Sequence, residues 1–159
     1  MISYSPRSML VTGGAGFIGS HFIHFCLERY PDLKIANLDV LSYAGSLQNL
    51  STLSETKNYR FIQENICNKN ALNRLLREFQ IDTIVHFAAE SHVDRSISNP
   101  TAFIESNIVG TFNLLETARL YWLEELKLEL SQCRFHHIST DEVYGSLSKD
   151  DPAFTETTA

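Results

Sequence analysis

The segment that decides the fold is SMLVTGGAGFIG, residues 8–19, in which a short apolar run stops at a pair of glycines. The run indicates a buried β-strand. The apolar residues that follow, to about residue 30, recur at the three- and four-residue spacing of a helix. Gly13, Gly16 and Gly19 stand between the two at three-residue intervals. Glycines permit a tight turn that brings an anion against bare backbone and the free N–H groups of a helix start. The segment therefore predicts a strand, a phosphate-binding turn and a helix.

Outward from this segment, strand-like and helix-like segments alternate along the chain. Apolar strands are predicted at 34–39, 59–65, 82–89 and 133–140, and helices at 69–80 and 101–126, with Pro100 opening the last. A polar connection with a short helix at about 46–53 joins the second and third strands. This order is typical of parallel strands joined by right-handed crossovers. The predicted fold class is α/β, a doubly wound, Rossmann-like parallel sheet whose ligands bind at the carboxyl ends of the strands.

The second strand ends at Asp39, 20 residues after Gly19. A carboxylate there can accept hydrogen bonds from both ribose hydroxyls of a dinucleotide and would repel a 2′-phosphate. This pattern favours NAD over NADP as a ligand. The alternative interpretation is a structural turn followed by a surface aspartate.

The third and fourth strands also end in candidate binding residues. Asn65 could accept from an adenine amino group while Ile66 packs on the ring; otherwise Asn65 simply caps the strand. Ala88 and Ala89 are small enough for backbone to pass close to a nicotinamide ribose. A polar loop follows at the same edge, and a solvated loop is its alternative reading. Its polar members are Glu90, Ser91, His92, Asp94 and Arg95.

The fifth strand ends in Ser139, Thr140, Asp141 and Glu142, next to the fourth. A hydroxyl beside two carboxylates suits hydride transfer coupled to proton transfer, if one acid donates a proton while the other removes one. A solvated acidic turn is the alternative. The preceding His136-His137 pair does not indicate a metal site, because adjacent strand residues point to opposite faces.

The composition indicates one soluble domain over residues 1–159. A net charge of −6 without a basic run argues against nucleic-acid binding. The sequence has neither a signal peptide nor an apolar segment of membrane-spanning length, so we expect a cytoplasmic protein without a membrane partner. Cys26, Cys67 and Cys133 are odd in number and far apart, which indicates neither a disulfide framework nor a zinc site.

Five segments together resemble the extended short-chain dehydrogenase/reductase superfamily, from about residue 9 to the C-terminus. They are TGGAGFIGS (12–20), NLD (37–39) with YAG (43–45), FAAESHVDRSI (87–97), SNIVGTFNLLE (106–116) and STDEVYG (139–145). The turn at residues 13–16, hereafter the glycine turn, is shared by the whole superfamily. STDEVYG is more selective and most resembles the dTDP-glucose 4,6-dehydratases, because the related 4-epimerases lack the paired acids.

The resemblance implies a reaction in which NAD⁺ takes hydride from sugar C4 and later returns it to C6, leaving a 4-keto-6-deoxy sugar. It implies that Glu142 removes the C5 proton, that Asp141 protonates the departing C6 hydroxyl and that Thr140 hydrogen-bonds the C4 oxygen. Substrate contacts are expected at Ser91, with Glu90 and His92 beside it. The implied cofactor-binding residues are Gly13, Gly16, Phe17, Ile18, Gly19, Asp39, Val40, Leu41, Ser42, Asn65, Ile66, Phe87, Ala88, Ala89 and Ser106.

The sequence departs from the family pattern at three places. Asn65 stands where Asp is usual, and Ser106 where Thr is common; each keeps a polar group. The family's Tyr-x-x-x-Lys pair, which deprotonates the C4 hydroxyl, has its only match at Tyr30–Lys34, and Pro31 inside that match prevents a shared helical face. We therefore expect the cofactor-binding half of a dehydratase, without the sixth strand and the C-terminal substrate lobe, that does not turn over alone.

Two other interpretations remain open from the sequence. One is a UDP- or CDP-sugar dehydratase or an epimerase of the same superfamily, since the resemblance alone favours dTDP. The other is a non-catalytic NAD-binding module. For the complete protein, a homodimer that pairs the long helix through Phe112, Leu115 and Trp122 is expected.

Overall fold

The computed structural model describes residues 4–53 and 58–158, which contain a five-stranded, fully parallel sheet. The strands are β1 (Ser8–Thr12), β2 (Lys34–Asp39), β3 (Tyr59–Gln63), β4 (Thr83–His86) and β5 (Arg134–His137). Their order across the sheet is β3-β2-β1-β4-β5, so the chain moves outward from β1 in both directions. The predicted doubly wound parallel sheet is therefore confirmed.

Helices cover both faces of this sheet. The regular helices are α1 (Phe17–Arg29), α2 (Lys69–Glu78), α3 (Val93–Ser98), α4 (Pro100–Phe103) and α5 (Thr111–Arg119), and a short 3₁₀ turn spans Leu47–Leu50. From α4 onward the chain stays helical to residue 125, with π-helical turns at Ile104–Gly110 and Leu120–Glu125. Residues 100–125 are hereafter the long helix, which matches the predicted helix at 101–126.

Strands β3, β4 and β5 end two to three residues earlier than the sequence predicted. The predicted ends were residues 65, 89 and 140, whereas the ladders stop at Gln63, His86 and His137. The residues between each ladder and its predicted end line a cleft instead; they are 64–65, 87–89 and 138–140. The period-2 and continuous apolar patterns detect burial, and they do not locate the last hydrogen-bonded pair.

Two buried clusters hold the helices onto the sheet. On one face, Leu10, Leu38 and Ile84 of the strands pack with residues of α2 and the long helix. On the other face, Val11 and Ile35 pack with residues of α1. Alternation of neighbouring side chains between the two faces explains why each strand reads as nearly continuous apolar sequence.

Trp122 belongs to the first of these clusters and is 4% exposed. Its indole N–H donates to the carbonyl of Ile81 at 2.6 Å. The expectation that Trp122 helps to pair two long helices is therefore wrong for this structure, because a buried ring with its N–H satisfied fixes the long helix to the start of β4. Among the described residues, no helix is long and apolar enough to cross a membrane.

Candidate functional site

A cleft of about 550 Å³ lies at the carboxyl ends of the strands. It gathers residues that follow β1, β2, β3, β4 and β5, so segments far apart in sequence meet at one edge of the sheet. The lining residues discussed below are Gly13, Gly16, Phe17, Ile18, Gly19, Asp39, Val40, Ser42, Glu64, Asn65, Ile66, Cys67, Phe87, Ala88, Ala89, Glu90, Ser91, Glu105, Ser106 and Thr140. Every predicted cofactor residue except Leu41 is in this lining; that they bind a cofactor stays a prediction.

A larger cavity, of about 1120 Å³, lies at the opposite, amino-terminal ends of the strands. Ser8, Lys34 and Asp82 are among its lining residues, and none of the predicted site residues is. In parallel α/β sheets ligands bind at the carboxyl ends, so size alone does not make this cavity the functional site.

The first two glycines of the turn after β1 have no room for a side chain. Gly13 has φ +73, a left-handed conformation, and a Cβ there would lie 2.5 Å from the amide nitrogen of Ala88. A Cβ on Gly14 would collide with the side chain of Asn37 in β2. The turn is thus pressed between the chain leaving β4 and the middle of β2, which leaves its backbone at the floor of the cleft.

Helix α1 begins in the cleft with free amide donors. The N–H groups of Phe17, Ile18 and Gly19 have no hydrogen-bond acceptor among residues 4–53 and 58–158, as expected for the first turn of a helix. No side chain caps this end. Phe17 and Ile18 are also 76% and 63% exposed. Free N–H donors beside exposed apolar side chains favour a ligand that carries both a phosphate and flat apolar groups.

Asp39, at the end of β2, is buried against the glycine turn. Its Oδ2 accepts from the N–H of Ala15 at 2.9 Å and its Oδ1 accepts from the N–H of Leu41 at 2.8 Å. Leu41 has φ +57, so the chain turns sharply back around the carboxylate. Each carboxylate oxygen retains a second lone pair for a ligand hydroxyl. Asp39 therefore positions the turn as well as facing the cleft, a role that the sequence did not predict.

At the end of β3, Asn65 and Ile66 take different roles. The Oδ1 of Asn65 accepts from the N–H of Cys67 at 2.8 Å, so it forms a local turn, and the residue is exposed. Ile66 is buried, and a Cβ on Gly110 of the long helix would collide with its side chain.

Burial, and secondarily the Glu105 carboxylate, raises the pKa of the Cys67 thiol, which is therefore protonated at neutral pH.

The loop after β4 is clamped by the long helix. The N–H of Glu90 donates to Oδ1 of Asn107 at 2.8 Å, and Nδ2 of Asn107 donates to the carbonyl of Glu90 at 2.8 Å. This two-bond pairing fixes the backbone between Ala89 and Ser91, which line the cleft. His92 precedes α3 and lies outside the lining. The predicted substrate residues Glu90 and Ser91 thus share the cleft, and His92 does not.

Beneath this loop lies a buried histidine that sequence reasoning passed over. Nδ1 of His86 is hydrogen-bonded to Oγ1 of Thr12 at 2.6 Å, and its Nε2 is hydrogen-bonded to Oγ1 of Thr111 at 2.9 Å. Burial, with His137 as a second cause, lowers the pKa of His86 to about 4. The neutral ring joins β1, β4 and the long helix directly under the cleft floor. A lone polar residue in the apolar run 84–89 was the available signal.

The predicted acid pair follows β5 in a short 3₁₀ turn, Asp141–Tyr144. Thr140 precedes the turn and lines the cleft, and its Oγ1 accepts from the N–H of Glu142 at 3.2 Å. Asp141 and Glu142 are exposed and lie just beyond the lining. Both acids are adjacent to the cleft in sequence, and in this structure neither side chain forms its wall. The prediction that they act there remains untested.

The Tyr30–Lys34 match is placed far from the cleft. Tyr30 follows the last turn of α1, and Lys34 is the first residue of β2, at the opposite end of the sheet. The rejection of this pair as a catalytic Tyr-x-x-x-Lys motif therefore agrees with its position.

The charge of the cleft is strongly negative. No lysine or arginine lines it among the described residues, whereas four carboxylates do: Asp39, Glu64, Glu90 and Glu105. A phosphate group here must be held by backbone amides and the helix dipole. Each additional phosphate on a ligand would be repelled.

Comparison with known proteins assigns the chain to a family. The family model described as GDP-mannose 4,6 dehydratase matches residues 10–159. The dTDP-glucose 4,6-dehydratase of Salmonella typhimurium is 49% identical over 159 residues, covering 95% of this chain and 44% of that protein. The chain thus spans less than half the length of this curated relative.

Solved structures of similar proteins share the fold of this chain. The dTDP-glucose 4,6-dehydratase of Streptomyces venezuelae, solved with NAD bound, is 43% identical with a TM-score of 0.80, covering 96% of this chain and 44% of that one. The UDP-Glc/GlcNAc 4-epimerase of Campylobacter jejuni is 31% identical with a TM-score of 0.77, covering 96% and 42%. These likenesses confirm the predicted resemblance, and the match to the family model over residues 10–159 shows that the chain belongs to the GDP-mannose 4,6 dehydratase family.

Proposed function

We propose that the cleft binds NAD and that this chain is the cofactor-binding part of a longer sugar-nucleotide 4,6-dehydratase acting on dTDP-glucose. The observation that carries the proposal is the glycine turn: three unpaired amides at the start of α1 face a cleft whose acceptor Asp39 stands at the end of β2. Relatives that are named dTDP-glucose 4,6-dehydratases, one of them solved with NAD, support the cofactor and the substrate class.

The residues of the cleft suit such a cofactor at both ends. The diphosphate would lie against the amides of Phe17, Ile18 and Gly19, where bare backbone can approach it. Asp39 would accept from the ribose hydroxyls, and its charge excludes a 2′-phosphate. Ala88 and Ala89 leave room beside the nicotinamide. Bound NAD supplies a two-electron acceptor and later returns the same electrons, so the reaction needs no external oxidant.

The chain's own groups would handle the protons of the reaction. Thr140 would hold the oxygen at sugar C4. Glu142 would remove the proton from C5 once C4 is a ketone, and Asp141 would protonate the departing hydroxyl at C6. Ser91 lies in the same wall and would contact the sugar. Elimination thus needs two acids in opposite protonation states beside one hydroxyl.

We also propose that the 159 residues alone do not complete a turnover. The described residues place no Tyr-x-x-x-Lys pair at the cleft, so the C4 hydroxyl has no base. Continuous formation of a 4-keto-6-deoxy sugar by the purified chain would contradict this proposal.

For the complete protein we propose a homodimer in the cytoplasm. Four apolar side chains form an exposed stripe on the long helix; they are Ile104, Ile108, Phe112 and Leu115. Their spacing along one helical face suits packing against the same stripe of a second copy. The three cysteines, all free, suit a reducing compartment.

The test of the cofactor proposal compares two glycines with positive φ. Gly13→Ala forces a Cβ toward the Ala88 backbone, whereas at Gly145, φ +93, a Cβ meets nothing within 4 Å. Each substitution places a side chain on backbone that favours glycine, which costs on the order of 1–3 kcal/mol. Titration calorimetry with NAD⁺ should show binding to the unmodified chain and to Gly145→Ala, and a loss of at least about tenfold in affinity for Gly13→Ala. No binding by the unmodified chain, or equal binding by both variants, would overturn the proposal.

A further inference from the structure

A cation–π contact lies between two loops of the cleft. The guanidinium carbon of Arg95, in α3, is 3.8 Å from the centre of the Tyr43 ring, in the turn after β2. Both side chains are exposed, and neither is part of the cleft lining. This distance is well within the range of a favourable cation–π contact.

The strand order fixes where this contact runs. Tyr43 follows β2 and Arg95 follows β4, and β1 lies between those two strands. Strands β2 and β4 are therefore separated by two interstrand spacings, roughly 10 Å. Ser42 and Ala44 beside Tyr43 line the cleft, and so does Ser91 in the loop before Arg95, so the contact joins the two walls on either side of the glycine turn.

Both loops are anchored below the contact. On one side, Ser46 N–H donates to the carbonyl of Ala15 at 3.0 Å and Gly45 N–H donates to that of Ser42 at 3.1 Å. On the other side, the N–H of Glu90 donates to Oδ1 of Asn107 in the long helix at 2.8 Å. Opening the contact separates two exposed side chains, so its cost is low, and the two loops are then held only at these anchors.

We propose that Arg95 and Tyr43 form a latch over the middle of the cleft that slows the escape of the bound dinucleotide. This inference rests on the proposed NAD site. The latch acts by closing the opening above the diphosphate; the dinucleotide is bound by the backbone amides beneath. A cofactor that is reoxidised within each catalytic cycle has no need to leave, so slow escape suits the proposed chemistry.

The experiment measures the dissociation rate of NADH by its fluorescence, after rapid mixing of the loaded chain with excess NAD⁺. Arg95→Met and Tyr43→Ala should each raise this rate about two- to fivefold, the size expected for an exposed cation–π contact. Tyr43→Phe keeps the ring and should leave the rate near that of the unmodified chain. Arg29→Met removes an exposed guanidinium at the far end of α1 and serves as the matched control.

The double variant decides between a latch and two independent effects. If the contact is responsible, Arg95→Met combined with Tyr43→Ala should be no faster than either alone. Multiplying effects would overturn the latch. A faster rate in Arg95→Met with no change in Tyr43→Ala would overturn it too, since the guanidinium would then contact the dinucleotide phosphate directly.

A readout without nucleotide separates the latch from the cofactor site. In the ligand-free chain, hydrogen exchange in 40–45 and 90–95 should rise in both single variants if the latch ties these loops together. If exchange rises while the unmodified chain binds no NADH, the cofactor proposal fails, and the contact only holds the two loops together. If exchange is unchanged in both variants, the latch fails whatever the chain binds.

Discussion

Asp39 and Ala15 are joined by a 2.9 Å hydrogen bond from the amide of the glycine turn to a buried carboxylate. The bond connects the end of β2 to the turn after β1. The acid that is expected to select the cofactor therefore also holds the turn against which the cofactor lies. Selectivity and shape depend on one side chain.

Asp39→Asn should separate these two roles only in part. The amide keeps one acceptor oxygen and places an NH₂ group against one of the two backbone amides, so we expect a loss of about 1–3 kcal/mol in the free energy of unfolding. NAD⁺ affinity should fall, and the preference for NAD⁺ over NADP⁺ should narrow because the repelling charge is gone. Calorimetric titration with both nucleotides measures this. Asp32→Asn, which removes an exposed acid at the other end of the sheet, should leave the preference unchanged.

Asn107 should be difficult to replace because it both donates to and accepts from the Glu90 backbone. Asn107→Asp loses the donor and faces the Glu90 carbonyl with a second oxygen, so we expect it to destabilise the loop more than Asn107→Ala does. The expected loss is about 1–3 kcal/mol in the free energy of unfolding, with faster hydrogen exchange in 87–92. Equal exchange in that loop for both variants and the unmodified chain would contradict the clamp.

His86 should make stability depend on pH. Its pKa is lowered to about 4 in the folded chain, whereas an unfolded histidine titrates near 6.5. Between these values the unfolded state binds a proton that the folded state does not. The full contribution of neutral His86 to the free energy of unfolding should therefore be present above pH 6.5. The free energy of unfolding should fall by up to about 3 kcal/mol as the pH drops to 4.

Denaturant unfolding at several pH values checks this prediction. His86→Gln removes the titrating group and should flatten the dependence in that window. His21→Gln, a change at an exposed histidine of α1, should leave the dependence as it is. A slope that is the same in all three proteins would show that His86 is not the source.

The acid pair can be tested in a complete enzyme that contains this chain. Asp141→Asn and Glu142→Gln should stall elimination while C4 oxidation continues, so NADH absorbance should build up without a 4-keto-6-deoxy product. We expect a loss of about 10²–10⁴-fold in product formation for either change. Unchanged product formation would contradict the assigned roles, and loss of the NADH signal as well would show that the pair acts before oxidation.

The fold was predictable because its signals are local. The segment 8–19 combines a strand, three glycines and a helix start within twelve residues, and Asp39 ends the next strand. Each feature depends on neighbours in sequence or on the shared edge of a parallel sheet. The cleft therefore contains nearly all the predicted cofactor residues, including Asn65 and Ser106.

The features that the sequence did not predict depend on how the helices pack against the sheet and its loops. The pairing of Asn107 with Glu90 and the contacts of His86 with Thr12 and Thr111 join different elements, and no spacing rule specifies them. The π-helical turns of the long helix are equally hidden, since apolar residues every three or four positions fit both helix types. The placement of Asp141 and Glu142 outside the lining follows from a short 3₁₀ turn, which the strand-like run before it did not indicate.

The four carboxylates of the cleft have a consequence for how binding responds to ionic strength. Proteins that bind phosphates through lysine or arginine lose affinity as the salt concentration rises, because dissolved ions screen the attraction between the opposite charges. Here the fixed charges repel the ligand, and dissolved ions screen that repulsion. Affinity for a dinucleotide should therefore hold steady or increase from low salt to physiological salt, and a buffer of very low ionic strength would be a poor choice for loading the protein.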